Sequence, residues 1–83
     1  MTGDDILAAR RTLGEMWGLG RPLRRSELGR VLRLTGRDPG KQVARWEAGD
    51  GPTGPASVAI DMMLAGAMPP DPIEDILRGY HNT

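Results

Sequence analysis

Cysteine is absent from the 83-residue chain, which excludes a disulfide framework and a thiolate metal site and leaves nothing that argues for an oxidising compartment. Histidine occurs once, as His81, two residues from the last position. Ser26 and Ser57 therefore have no imidazole beside them to act as base, and metal ligands are missing, so neither an enzyme nor a cofactor-binding protein is expected. Long apolar runs are also missing. The longest, Ala56 to Met68, is interrupted by Asp61 and is too short to span a bilayer, and the acidic start Met1-Thr2-Gly3-Asp4-Asp5 is unlike a signal peptide. Gly18-Leu19-Gly20 follows no strand and does not read as a phosphate loop. The expectation is a soluble, cytoplasmic protein with no membrane partner and no small-molecule ligand.

Eighty-three residues make room for one compact domain, residues 1–83. A domain this small buries only ~60% of the surface its unfolded chain exposes, so help from a partner is expected. The net charge is zero, but the charges are sorted along the chain. Between Arg10 and Arg45 stand ten basic residues and three acids, and the rest of the chain sets Arg78 against eight acids. A basic block on part of a small domain suits a surface that tracks phosphates, because each neutralised phosphate releases counterions; the plain alternative is a set of solvated helix faces.

Glycine and proline cut the chain into five short pieces with apolar spacings of three and four, and none alternates as a strand does; the fold class is all-α, a compact bundle of about five short helices. The first runs from Asp4 to Trp17, with Ile6, Ala9, Leu13, Met16 and Trp17 on one side and Asp4 and Asp5 at the positive end of the helix dipole. The second spans Arg24 to about Leu34, with Leu28, Val31 and Leu32 inward and Leu23 as a staple; Gly29 inside it signals close approach of a neighbouring helix. The third starts with Asp38 as N-cap and Pro39 at the first position and ends near Gly49. There Val43 and Trp46 turn inward, Lys41, Gln42 and Arg45 share the outward face, and Gly40 is small enough for close contact. The fourth begins at Thr53 or Gly54 and runs to about Gly66, with Val58, Ala59, Ile60, Met62, Met63 and Leu64 wrapping most of its circumference, which predicts a central helix. A short fifth, within 70–83, follows Met68-Pro69-Pro70, with Asp71 as cap, Pro72 first, Glu74 closing a capping box, and a stripe of Ile73, Ile76, Leu77 and Tyr80.

With the second and third helices in place, the segment 23–49, LRRSELGRVLRLTGRDPGKQVARWEAG, resembles the Cro/repressor-type (Xre-like) helix-turn-helix family. The residues that carry the resemblance are Leu23 at the entry to the second helix, Leu28-Gly29 where the family typically has Leu-Ala, and Val43-Ala44-Arg45-Trp46-Glu47-Ala48-Gly49 closing the third. It extends weakly over residues 4 to 66. The interval from Leu28 to Trp46 is longer than the common family spacing, with the excess in Leu34 to Gly40.

The resemblance implies a lambda-repressor-like fold whose third helix lies in the major groove of double-stranded DNA while the second helix and nearby loops hold phosphates. In those roles Arg45 suits guanine, Gln42 adenine, and Lys41 guanine or phosphate. Arg37 holds phosphate or touches the first base, and Arg24 and Arg25 grip the backbone. Leu28, Val43 and Trp46 form the core of the motif; Trp46 as a stacking platform is the less economical reading. Glu47 is expected to pair with a basic residue of the second helix, direct base contact being the alternative. The function implied is a transcriptional regulator, a repressor of bacterial, phage or mobile-element origin, acting as a homodimer on a palindromic operator. The apolar fourth helix and the fifth-helix stripe are the candidate dimer surfaces. The competing reading is a protein-interaction helix-turn-helix, such as an antitoxin or assembly subunit.

Overall fold

In the computed structural model, which describes residues 1–34, 37–52 and 54–78, the chain forms five α-helices and no strand among those residues. They are α1 (Gly3–Met16), α2 (Arg25–Val31), α3 (Pro39–Ala48), α4 (Gly54–Leu64) and α5 (Ile73–Arg78). None is long and apolar enough to cross a membrane.

The start of α1 is a reciprocal cap. The Asp5 amide donates to Thr2 Oγ1 (3.3 Å) and the Thr2 amide donates to the Asp5 carboxylate (2.8 Å), which satisfies two amides that helix geometry leaves without partners. Ile6, Ala9 and Leu13 are buried. Met16 is 45% exposed, contrary to its expected place in the inward stripe. At 100° per residue it lies at the margin of a face centred on Leu13, whereas Trp17 returns toward that centre and packs against the core. The indole Nε1 of Trp17 is buried without a hydrogen-bond partner.

Leu23 precedes the N-cap of α2, and both it and Leu28, on the next turn, are fully buried, as a staple requires. Glu27 reaches back to accept from the Arg24 amide at 2.7 Å. The helix is shorter than its apolar pattern predicts, because Leu32 is already the C-cap and Arg33 takes a left-handed conformation, φ 55°. The Arg33 amide then donates to the Arg30 carbonyl and the Leu34 amide to the Gly29 carbonyl, both at 3.0 Å. This pair of bonds closes a helix end and turns the chain away.

Asp38 caps α3, accepting from the Gly40 amide at 3.1 Å, with Pro39 in the first turn. The crossing of α2 and α3 depends on two glycines. A Cβ on Gly29 would stand 2.6 Å from the Pro39 carbonyl oxygen and 2.7 Å from its Cβ, and one on Gly40 would stand 2.9 Å from the Ser26 amide nitrogen. Gly29 thus marks the close approach it signals in the sequence, and the contact made possible by Gly40 is with α2. Thr35 and Gly36, in the lengthened turn, lie outside the described residues.

The core joins Ile6, Ala9, Leu13, Leu23, Leu28, Val31, Val43, Ile60, Met63 and Ile76. The fourth helix is not central. It packs on α1, burying Ile60 and Met63, while Val58 and Met62 are 56% and 57% exposed; an evenly apolar helix lacks the polar face that would reveal from sequence which side is free. The expected start at Thr53 falls outside the described residues. In the fifth helix Ile76 is fully buried and Ile73 and Leu77 are half-buried, packing back onto the molecule itself, while Tyr80 lies outside the described residues. The Asp71 carboxylate binds Arg33 in a two-pronged ion pair (2.9 and 3.0 Å), and Arg30 Nε donates to the Ile76 carbonyl at 2.7 Å, so α5 is fastened to the end of α2.

Candidate nucleic-acid interface

Val43 anchors α3 from within, fully buried beside Leu28 in the same core, and Trp46 is half-buried against it. With that side turned inward, Lys41 and Arg45, one helical turn apart, are exposed and Gln42 is half-exposed. Arg24 at the N-cap of α2, Arg25 in its first turn and Arg37 just before the cap of α3 are exposed as well.

Not all of these residues converge. Arg24, Arg25 and Lys41 line one open cleft between the starts of α2 and α3, together with Arg10, Ser26, Gly40, Ala44 and the acidic Asp38. Gln42 and Arg45 are on α3 but do not line it, and Arg37 lies in the loop that leads into that helix.

Glu47 holds the cleft together. Its carboxylate accepts from Arg10 Nη1 (2.6 Å) and from Arg25 Nε (2.9 Å), with Arg25 Nη2 at 2.8 Å in the same ion pair. The expected pairing with the second helix is present, through Arg25, and a first-helix arginine joins it. Arg10 also donates from Nε to the Leu23 carbonyl (2.8 Å), whose own amide returns a bond to the Arg10 carbonyl (3.0 Å). Sequence reasoning assigned Arg10 no role beyond its charge. The only signal available was its place beside the Ala9/Leu13 stripe, which puts it at the edge of a packed face.

A second carboxylate organises the far side of α2. Glu27 is 1% exposed and accepts two bonds from the Arg21 guanidinium, at 2.8 and 2.9 Å. Burial pushes the Glu27 carboxyl up, but the Arg21 guanidinium and the Arg24 amide outweigh it and hold the group below the usual glutamate range. Four of the ten residues of the basic block, Arg10, Arg21, Arg25 and Arg33, are thus engaged in ion pairs within the molecule, while Lys41 and Arg45 remain at the surface.

Among the described residues no cluster of acids and histidines is suited to a metal ion. Compared with family models, with curated proteins and with solved structures, the chain matches none.

Proposed function

We propose that the chain is a sequence-specific double-stranded DNA-binding protein with a lambda-repressor-like helix-turn-helix, and that it acts in the cytoplasm as a transcriptional repressor rather than as an enzyme. The observation that carries this reading is the basic surface built by α2 and α3. Lys41 and Arg45 stand out from a helix anchored by Val43, beside a cleft lined by Arg10, Arg24 and Arg25. In the proposed complex α3 lies in the major groove, Arg45 donates two parallel bonds to guanine, Gln42 pairs with adenine, Lys41 meets guanine or phosphate, and Arg24, Arg25 and Arg37 hold the backbone. A homodimer on a palindromic operator would place two such helices ~34 Å apart. The exposed Val58 and Met62 of α4 support that half of the proposal; the α5 stripe gives it less support, since Ile76 is consumed by the protomer's own core. The resemblance to phage and mobile-element regulators supplies the proposed origin, and occlusion of polymerase the proposed action.

Selection of bound duplexes from a random pool is the direct test, with enrichment of a two-fold symmetric site as the expected result. Affinity should fall steeply with added salt. Arg45→Ala should cost ~1 to 3 kcal/mol of preference at one position, whereas Arg24→Ala should weaken all sequences alike and lower the salt slope by about one. No retention on random duplex at low salt would instead favour a protein-interaction module. That second reading draws on the apolar groove bounded by Val31, Leu32, Ala59, Met62, Met68 and Pro69, in which Met62 and Met68 are exposed.

A further inference from the structure

Arg33 is the only non-glycine residue of positive φ among the described residues, and it sits where α2 ends and the chain sets out toward α3. A side chain in the left-handed region crowds the following carbonyl, which is why glycine commonly fills the position after a helix C-cap. Arg33 is held there from both sides. Its amide and that of Leu34 close the end of α2, and its guanidinium is gripped through Nε and Nη2 by the two oxygens of Asp71, 38 residues onward. Asp71 is not on a free arm. The segment it opens is fixed to the same end of α2 by Arg30 Nε on the Ile76 carbonyl and by the fully buried Ile76 side chain.

α3 begins at Pro39, six positions after Arg33, and its first turn rests on α2 with no room to spare at Gly29 and Gly40. We infer that Asp71 is a positioning residue for the recognition surface: by clamping Arg33 in its left-handed conformation it holds the exit from α2, and through that exit the first turn of α3 with Lys41 and Gln42. The inference rests on the DNA-binding reading for its functional meaning, but the clamp itself is a property of the free protein.

The test is a double-mutant cycle of Asp71→Asn and Arg33→Gly in the full chain, read by affinity for a selected duplex and by the amide NMR shifts of Gly40 to Gln42 without DNA. Glycine adopts the left-handed turn unaided, so it makes the clamp dispensable. Asp71→Asn alone should displace those amide signals and weaken DNA binding by about threefold, a modest effect because Arg33 is largely exposed. The same substitution in the Arg33→Gly background should do neither. An equal effect of Asp71→Asn in both backgrounds, or none in the arginine background, overturns the inference. If Asp71→Asn alone unfolds the protein, a folded double variant supports the clamp and an unfolded one overturns it. If the unsubstituted protein fails to bind duplex DNA, the reading under Proposed function falls, and the amide shifts still decide for or against the clamp.

Discussion

At the scale of single residues, the smallest side chain and a buried acid make the sharpest predictions. Glycine follows Leu28 inside α2, and the structure supplies the reason: a methyl group at position 29 would enter the backbone of Pro39. Helix propensity alone would reward Gly29→Ala by ~1 kcal/mol. The collision should reverse the sign, with a net loss of about 1 to 3 kcal/mol in urea denaturation, since a rigid helix start must move to admit it. Glu27 makes a prediction in pH. Its carboxyl is held below the ordinary glutamate value, about 4.3, so the ionised form is favoured by folding. The resulting stability is present above that value and is lost as the pH falls below it and through the lower native one. Glu27→Gln should therefore be less stable than the parent at pH 7, and the gap should narrow from about pH 4.3 downward; pH-dependent denaturation of the pair measures it. An unchanged gap at pH 3 would mean that the Arg21 ion pair contributes nothing.

At the scale of elements, the helices with punctuation at their ends were the most legible. Asp38-Pro39 marked the start of α3 at the right residue, and Val43 and Trp46 marked its inner side. The cap itself is testable: Asp38→Ala removes the acceptor for the Gly40 amide and should cost about 1 kcal/mol in thermal or urea unfolding. Elements whose limits or orientation depend on distant residues were less legible. The apolar spacing of Leu28, Val31 and Leu32 says nothing of the left-handed Arg33 that stops α2, because the residue type is unusual there and its partner Asp71 lies far along the chain. In α4 the even spread of apolar residues concealed that one side is solvent-facing. For the candidate site, the α3 residues could be read by periodicity. Of the assembly around Glu47, the pairing with the second helix was expected, whereas the share of Arg10 was not, since it reaches α3 from α1 across 37 residues. The free side of α4 also bears on assembly. Met62→Lys replaces a side chain that is 57% exposed and should leave the unfolding transition nearly unmoved. If protomers pair through this helix, the same substitution should shift the sedimentation profile toward the monomer.

At the scale of the whole molecule, the sorted charges of the sequence become a division of labour. Part of the basic block ties the fold together: Arg21 to Glu27, Arg33 to Asp71, and Arg10 with Arg25 to Glu47. What remains exposed on α3, at the start of α2 and in the loop between them is the share that the proposed DNA contact would use. Glu47 couples the two roles, because the same carboxylate that fastens α1 and α2 to α3 also fixes the guanidiniums at the cleft. Glu47→Gln should consequently weaken both folding and duplex binding, and should destabilise more than Arg25→Ala. It leaves the largely covered Arg10 without its ion-pair partner, whereas the Arg25 side chain is 53% exposed. Unfolding curves of the two variants, run alongside duplex titrations, measure that order.

The buried Nε1 of Trp17 gives the molecule an optical signature. Both rings are half-buried, but emission from the one whose Nε1 is enclosed without a hydrogen bond is expected toward the blue of the other, Trp46 on the third helix. With only these two tryptophans in the chain, the blue component reports on the enclosed indole of Trp17 and the red component on α3, the helix that carries Lys41 and Arg45. A ligand that docks there should dim the second and leave the first untouched.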